Sequence, residues 1–280
     1  MRVIIQKPDL DTCLTALILG VSEKDEIKVL PGQASKADLD DPAVYCIEAG
    51  GSGLVHLNNF DHHDQLKKLY PACRQAYDKC SMQDERLKRL VDYVCMVDVR
   101  TQGYVPAPFP TLSNVFSGML FFEKSPLQQF IRGIAMLRMV MDNNIDPFGT
   151  MPKLDGWREY LTAKEENNEK LGAVMDNAIF FQSSHGKKIG FGKSEVIGDF
   201  TALYDKGCDV AILLNTAFGE NAIRKFAISS KDIAVKSLLL KHIDEMETGW
   251  GGHDTIICSP LGRSSNLSKE VIIEIVRQYL

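Results

Sequence analysis

The sequence predicts an α/β protein with two domains, because the order of strand and helix patterns changes along the chain. Strand patterns alternate with helix patterns over residues 1–110, which is typical of a parallel sheet covered by helices. Residues 112–181 then carry apolar side chains at helical spacing. We therefore expect a first domain at residues 1–181, a linker at the polar residues 182–187 and a smaller α/β domain at residues 188–280.

Each predicted element is a short periodic run bounded by turn-forming residues. In the first domain, apolar runs predict strands at residues 2–6, 27–30, 44–48 and 53–60. Helical spacing predicts helices that begin after Asp11, at residues 72–80 and 85–96, and several times within residues 112–181. In the second domain, the same criteria predict strands at residues 188–197, 210–215 and 222–229, and helices at residues 234–246 and 268–280.

Composition limits the classes of function. The 280 residues are 45% hydrophobic and 25% charged, which is ordinary for a globular protein. The net charge is −5 and the basic residues are scattered, so we expect a small phosphorylated ligand or nucleotide as partner and no long nucleic acid. The longest apolar region, residues 116–141, is interrupted by charged side chains, and it predicts a buried helix pair rather than a membrane span.

Two features predict a cytoplasmic location. Met1 is followed directly by a strand pattern, without the charged, apolar and small-residue regions of a secretory leader. The seven cysteines are odd in number and lack C-x-x-C spacing, so they fit free thiols in a reducing compartment.

Acidic and imidazole side chains follow two of the predicted strands. Asp9 and Asp11 come after the first strand, and Asp61, His62 and His63 come after the strand at residues 53–60. The carboxyl ends of strands in an open α/β sheet converge on the crevice where such folds bind ligands. Imidazole and carboxylate together suit a metal ion and a phosphate group. Asp9 and Asp11 also fit the N-cap of a helix, and an N-cap residue can be a metal ligand at the same time.

Three ordered motifs give the sequence a family resemblance. They are Asp9-Leu10-Asp11, Asp61-His62-His63 and Gly251-Gly252-His253. Together they resemble the DHH phosphoesterase superfamily, which includes oligoribonucleases, cyclic-dinucleotide phosphodiesterases, RecJ-type nucleases and family II inorganic pyrophosphatases. The resemblance covers nearly the whole chain. It implies a parallel-sheet DHH domain with added helices, followed by a mixed-sheet substrate domain of the DHHA1 type.

The resemblance implies a centre for two Mn²⁺ (or Mg²⁺) ions. Asp9 matches a ligand of one metal, whereas Asp11, His62 and Asp98 match ligands of the other. Glu48 ends a predicted strand where the family usually has a bridging Asp, so we expect it to bridge the metals. For Asp98 alone, the alternative is an acidic helix terminus.

The same motif implies roles in catalysis. His63 matches the residue that touches the substrate phosphate, and Asp61 is expected to orient His62 through a hydrogen bond. With Asp11 and Asp98, these residues form the predicted catalytic set, in which two metals would activate water for attack on phosphorus.

One departure from the family pattern bears on the metals. The family places a His three or four residues before the first Asp, and this chain has Gln6 and Ile5 there. An amide is a poorer ligand for manganese than imidazole, and an aliphatic side chain is none. We therefore expect unequal occupancy of the two sites, or a single metal.

The substrate domain also departs from the pattern. Gly251 and Gly252 let backbone amides approach a phosphate, and His253 can donate to it, although Gly after a helix is also a common terminator. The family's phosphate-binding Arg corresponds to Ser229. We expect Arg224 to replace it, with Lys225 and Lys231 as alternatives.

These observations predict a phosphoesterase that hydrolyses a small ester, such as a short oligonucleotide, a dinucleotide or a cyclic dinucleotide. A second hypothesis is a degenerate relative that binds a nucleotide or other phosphorylated ligand without turnover. A third, a nuclease for long single strands, is disfavoured by the acidic charge. A homodimer is one expected assembly.

Overall fold

The computed structural model contains two compact units, Met1–Glu165 and Glu166–Leu280. It describes residues 1–50, 52–63, 68–99, 105–193, 199–218, 222–260 and 262–280. The predicted two-part α/β fold is confirmed. The division differs from the expected one, because it falls inside a helix rather than at residues 182–187.

A four-stranded parallel sheet forms the centre of the first unit. Its strands are β1 (Arg2–Ile5), β2 (Glu26–Val29), β3 (Val44–Ile47) and β4 (Asn59–Phe60), in the order β2-β1-β3-β4. The apolar residues of β1 and β3 are buried along most of each strand, whereas β2 at the edge alternates between exposed and half-buried positions. Continuous apolar runs are what a parallel sheet covered on both faces requires.

The first unit also contains several helices. They are α1 (Leu10–Ile18), α2 (Lys36–Asp40), α3 (Ala72–Lys79), α4 (Glu85–Asp98), α5 (Leu112–Phe122) and α6 (Pro126–Asp142). A further helix, α7 (Arg158–Asp176), contains the division between the units. The buried helix pair expected at residues 116–141 is α5 and α6. Among the described residues, no helix combines the length and apolar character needed to cross a membrane.

The prediction of a strand at residues 53–60 is wrong for most of that range. Val55–Leu57 form a short 3₁₀ helix, and only the last two residues of the run pair with β3. Asn58 ends this turn in a left-handed conformation, with φ of 58°, which Asn tolerates better than most residues. A four-residue apolar run does not distinguish a strand from a helical turn.

Close packing of α6 against α1 fixes where the acids of the first turn lie. A Cβ atom added at Gly133 in α6 would be 2.6 Å from the sulfur of Cys13 in α1, so glycine is required for this approach. Around it, Leu14, Phe130 and Leu137 are fully buried. Burial of each such side chain contributes about 1.5–3 kcal/mol. The helix that carries Asp11 is therefore held rigidly.

The second unit contains a six-stranded mixed sheet. Its strands are β5 (Ile179–Gln182), β6 (Lys188–Lys193), β7 (Val210–Phe218), β8 (Ile223–Ser230), β9 (Gly251–His253) and β10 (Ile256–Cys258), in the order β5-β6-β7-β8-β10-β9. Only the β6–β7 pair is parallel among these described strands. Strand β5 was expected to be helical, and the expected linker, residues 182–187, joins β5 to β6 as the turn of a hairpin. The last part of the strand predicted at 188–197 lies outside the described residues.

Helices cover both faces of this second sheet. Helix α8 (Asp199–Asp205) packs with Ala211, whereas α9 (Val235–Asp244) and α10 (Lys269–Tyr279) pack with the neighbouring Ile212. Successive residues of a strand point to opposite faces, so these two residues identify the two faces of the sheet.

Candidate metal centre

Three polar residues leave the first sheet at the same edge. The last residues of β1, β3 and β4 are register partners, so Gln6, Glu48 and Asp61, which follow them, emerge side by side. Helix α1 begins a few residues beyond β1, with Asp9 as its N-cap. The predicted convergence of strand-end acids at one edge is observed.

Both acids of the first motif are held by backbone amides. The Asp9 carboxylate accepts a hydrogen bond from the amide of Thr12 at 3.0 Å, as an N-cap does. The Asp11 carboxylate accepts from the amides of Ala72 and Cys73, at 2.7 and 2.8 Å, in the first turn of α3. The N-cap interpretation is therefore confirmed for Asp9, while Asp11 is fixed by a different helix.

Glu48 occupies the centre of the cluster. Its backbone has φ of 47°, a left-handed conformation that is uncommon outside glycine, and its side chain is buried. One carboxylate oxygen accepts from the Thr12 hydroxyl at 2.7 Å, and the other lies 3.2 Å from Nε2 of His62. Thr12 was missed by the sequence analysis, since a Thr in a first helical turn carries no distinctive signal.

His62 and Asp98 meet beside Glu48. Asp98 is the last residue of α4, and its Oδ2 atom lies 3.3 Å from Nε2 of His62. Among the described residues, neither atom has a hydrogen-bond partner of suitable geometry, although both are buried. Buried polar atoms without partners are rare in folded proteins. Atoms of this kind, aimed at one place, fit ligands of a metal ion.

Two triads of ligand atoms are close enough to hold a cation. One contains Asp11, His62 and Asp98, and the other contains Glu48, His62 and His63. Within each triad, the ligand atoms all lie within 4.8 Å of one another. The first triad is the set expected for the second metal. Asp9, expected on the other metal, contacts the Glu48 carboxylate.

Burial and mutual repulsion shift the protonation of the cluster. Burial and the charge of Glu48 raise the pKa of Asp9 to about 8 and that of Asp11 to about 7. Burial also raises the pKa of Asp98. The contact with Glu48 raises the pKa of His62 to about 9, against the effect of burial. Burial of Glu48 acts to raise its pKa, but contacts with His62 and other donors lower it. Without a metal, bound protons therefore reduce the negative charge of the cluster.

Asp61 orients His63. Its Oδ1 atom accepts from the backbone amide of His63 and lies 2.9 Å from Nδ1 of the same residue, while Oδ2 accepts from the amide of Gly50. The expectation was that Asp61 would orient His62, whose Nε2 instead faces Glu48 and Asp98. The His63 side chain is 66% exposed, so its ring is accessible to a ligand.

A cavity of about 250 Å³ opens beside the acids. It is lined by Gln6, Lys7, Asp9, Gln33, Glu48, Asp61 and His63. Gln6, which stands where the family resemblance led us to expect a metal-binding His, therefore faces this cavity. Lys7 was missed because a single exposed cation in a loop gives no signal. A larger cavity, about 530 Å³, lies against α6, and its lining includes none of the acids of the cluster.

In the second unit, the glycine motif forms the first strand of a hairpin. Gly252 has φ of 152°, and an added Cβ would lie 2.1 Å from the carbonyl oxygen of Ile256. Glycine is thus required here for the close approach of β9 and β10. His253 follows it and is exposed. The glycine has a structural role, and the histidine remains available to a ligand.

A buried carboxylate anchors the start of this hairpin. Glu247 accepts hydrogen bonds from Trp250 Nε1 at 2.9 Å, Ser265 Oγ at 2.6 Å, the Asn266 amide at 2.7 Å and Arg263 Nη1 at 3.2 Å. Its 6% exposure shows that these donors replace water. The sequence analysis did not single out Glu247, because its partners lie up to 19 residues away.

Neighbouring cations on β8 have different surroundings. Arg224 donates to the carbonyl oxygens of Ser265 at 3.0 Å and Leu267 at 3.1 Å, so its guanidinium holds a loop of the second unit. Lys225 points to the other face, is 9% exposed and lies 4.7 Å from the centre of the Phe218 ring. No carboxylate pairs with it among the described residues. Arg224, which was expected to bind a ligand, is therefore engaged within its own unit.

Comparison with known proteins identifies the fold. No protein-family model and no curated protein sequence matches the chain. A solved structure of a pGpG-specific phosphodiesterase, PggH from Vibrio cholerae, is similar with a TM-score of 0.60 and 14% identity over 98% of this chain and 99% of that one. A DHH domain from a protein described as belonging to a family of ribosomal proteins is similar with a TM-score of 0.50 and 11% identity, over 98% of this chain and 85% of that one. The chain has the DHH fold.

Within this DHH fold, the expected metal ligands gather in one place, as do Asp61 and His63. The residues of the second unit that were expected to bind the substrate differ from one another in their surroundings. His253 is exposed, Gly252 is needed by the hairpin, and Arg224 is engaged by backbone carbonyls. Ser229, which the resemblance aligned with a phosphate-binding Arg, accepts a hydrogen bond from Tyr204 at 2.8 Å.

Proposed function

We propose that the chain is a metal-dependent phosphoesterase that hydrolyses a small phosphate ester or phosphodiester, such as a short oligonucleotide, a dinucleotide or a cyclic dinucleotide. The observation that carries this proposal is that His62 Nε2 is buried 3.3 Å from Asp98 Oδ2 and 3.2 Å from the Glu48 carboxylate, without a hydrogen bond of suitable geometry among the described residues. The pGpG specificity named for the Vibrio cholerae protein supports a dinucleotide among these substrates.

The residues of the cluster fit a divalent cation. Asp11, His62 and Asp98 would hold one ion, with Glu48 adjacent, and Asp9 with Glu48 would hold a second more weakly. Carboxylate and imidazole donors suit Mn²⁺, and Mg²⁺ is the alternative. When bound, such a cation would lower the pKa of a water molecule and neutralise charge that develops on the phosphate.

The chain's own side chains would position the substrate. The contact between Asp61 and Nδ1 of His63 fixes the ring, and leaves Nε2 to bind a phosphate oxygen in the exposed part of the cavity. Lys7 lines the same cavity and supplies positive charge opposite the acids. At about 250 Å³, the cavity suits one phosphoryl group with part of its ester rather than a large ligand.

The second unit would contribute a phosphate site of its own. Lys225 and Ser229 lie four residues apart on β8 and therefore point to the same face of the sheet. Ser229 pairs with Ile256, which in turn pairs with His253, so the histidine lies on that face as well. We assign Lys225 and His253, which lie on this face, to binding phosphate groups of a ligand.

Binding without turnover is the second candidate function. The observation that favours it is Gln6, whose amide faces the cavity where the family has an imidazole ligand. If the metal site beside Asp9 does not fill, the chain would retain affinity for nucleotides and lose catalysis.

The two candidates separate in one experiment on the full chain. The protein is incubated with Mn²⁺ and either pGpG or a long single strand with matched ends, and products are followed by chromatography while binding is measured by calorimetry. Faster turnover of the dinucleotide, abolished by a chelator and restored by Mn²⁺, supports the phosphoesterase. Binding of pGpG without product supports the second candidate. Faster turnover of the long strand contradicts the proposed preference for small substrates.

A further inference from the structure

Two thiols meet immediately behind the metal cluster. Cys73 lies in the first turn of α3 and is fully buried, whereas Cys95 lies in the last turn of α4 and is partly exposed. Their sulfur atoms are 3.7 Å apart. All seven cysteines are among the described residues, and no other two form a sulfur–sulfur contact there.

We propose that Cys73 and Cys95 form a redox modification site, which a peroxide oxidises reversibly to a disulfide that weakens metal binding. The disulfide itself follows from the two thiols alone. Its effect on the metal rests on the proposed function, because it acts through the acids assigned as ligands.

The chemistry balances with hydrogen peroxide as oxidant. The sulfur of Cys95 attacks one peroxide oxygen, the O–O bond breaks, and a sulfenic acid and one water form. The sulfur of Cys73 then attacks the Cys95 sulfur, the S–O bond breaks, and a second water leaves as the S–S bond forms. Two thiols lose two electrons and two protons in total, and one peroxide is reduced to two waters. A dithiol reductant reverses the step by exchange.

The surroundings assign the first attack to Cys95. It is the more exposed of the two thiols, and the guanidinium of Arg74 lies beside its sulfur. The hydrogen bond from Cys73 lowers the pKa of Cys95, and Arg74 adds to that effect. A thiolate that is partly exposed and next to a cation is the form that reacts with peroxides. Cys73, buried behind it, is placed to resolve the sulfenic acid.

The bond would act directly on two proposed ligands. Its formation draws the sulfurs from 3.7 Å to about 2.0 Å, and so pulls the first turn of α3 and the last turn of α4 together. The amide of Cys73 donates to Asp11 Oδ1 at 2.8 Å, and Asp98 ends α4 three residues after Cys95. Both carboxylates would therefore move relative to His62.

The test uses the full chain and two readouts. After hydrogen peroxide, free thiols are alkylated and peptides are mapped by mass spectrometry, and Mn²⁺ affinity is measured by calorimetry before and after oxidation. We expect a Cys73–Cys95 linked peptide pair, with Mn²⁺ affinity reduced about tenfold or more, as when groups that support metal ligands are disturbed. Dithiothreitol should reverse both changes.

Two variants sharpen the result. Cys95→Ser should form no disulfide at Cys73 and keep its Mn²⁺ affinity after peroxide, whereas Cys80→Ser, which removes an exposed cysteine at the end of α3, should behave as the parent. Cys73 and Cys95 both still alkylated after oxidation would overturn the proposal, as would a Cys73–Cys95 disulfide that leaves Mn²⁺ affinity unchanged. Failure of the reduced parent to bind Mn²⁺ would instead count against the proposed function, and mapping would still decide the disulfide.

Discussion

The Nε2 atom of His62 lies 3.3 Å from Oδ2 of Asp98, and both atoms are buried without a hydrogen bond of suitable geometry among the described residues. Two buried polar atoms rarely face each other in a folded chain without a partner or an ion. The raised pKa values of His62, Asp9 and Asp11 indicate that the cluster binds extra protons when no metal is bound. A divalent cation would displace those protons.

The first prediction concerns the pH dependence of metal binding. Asp9 and Asp11 have pKa values raised from 3.8 to about 8 and about 7, and that of His62 is raised from 6.5 to about 9. The folded, metal-free protein thus binds extra protons between about pH 4 and pH 9, so these groups make it less stable as the pH rises through that range. The lowered pKa of Glu48 acts below 4.5, at the acidic end of that range.

Because metal ligands must lose their protons, Mn²⁺ should raise the melting temperature more near pH 8 than near pH 6. Differential scanning calorimetry with and without Mn²⁺ measures this, and Asp98→Asn serves as the variant in which the gain should shrink. Equal gains at the two pH values would show that these groups do not bind the ion.

The second prediction concerns occupancy. Asp11, His62 and Asp98 form a complete triad, whereas the site beside Asp9 has Gln6 in place of an imidazole ligand. Anomalous scattering from a manganese-soaked crystal should therefore give a stronger peak at the triad than beside Asp9. Peaks of equal height would be inconsistent with a weakened first site.

The third prediction separates the two cations of β8. Lys225→Met should weaken binding of a phosphorylated ligand by roughly ten- to a hundredfold, the loss of a hydrogen bond to a charged group, with little effect on the melting temperature. Arg224→Met should leave carbonyls of Ser265 and Leu267 unsatisfied and lower the stability by about 1–3 kcal/mol. Calorimetric titration and thermal unfolding of both variants check this, and reversed effects would restore Arg224 as the ligand-binding residue.

The fourth prediction concerns His253. If this residue binds a phosphate remote from the reacting bond, His253→Ala should raise KM more than it lowers kcat, at a cost of roughly 1.5–3 kcal/mol. His185→Ala, which removes another exposed histidine of the same unit, is the matched control and should leave both constants unchanged. Unaltered kinetics in the His253 variant would remove the residue from the site.

Much of the first unit could be predicted because two of its strands, β1 and β3, are apolar runs that end in polar residues. The runs at β1 and β3 are buried on both faces, and parallel pairing in register brings Glu48 and Asp61 to one edge. The contact of Asp11 with the amides of Ala72 and Cys73 could not be predicted, since it joins residues more than 60 positions apart.

In the second unit, the differences between expectation and structure come from register and local ambiguity. Deciding between Arg224 and Lys225 as the ligand-binding residue requires knowing which face of β8 is covered, and a shift of one residue exchanges the faces. The polar residues 182–187 have the composition of a linker, but they also suit a hairpin turn, where Ser183 bonds to the Lys187 backbone. Only the pairing of β5 with β6 decides between the two.

The most direct test of the central claim is the Mn²⁺-dependent turnover of a linear dinucleotide by the parent and by Asp98→Asn. The parent should release mononucleotides only with the metal, and the variant, which keeps the shape of the side chain but loses its charge, should lose roughly 10²–10³-fold in kcat with a smaller change in KM. A variant that turns over as fast as the parent would contradict a catalytic metal centre built on His62 and Asp98.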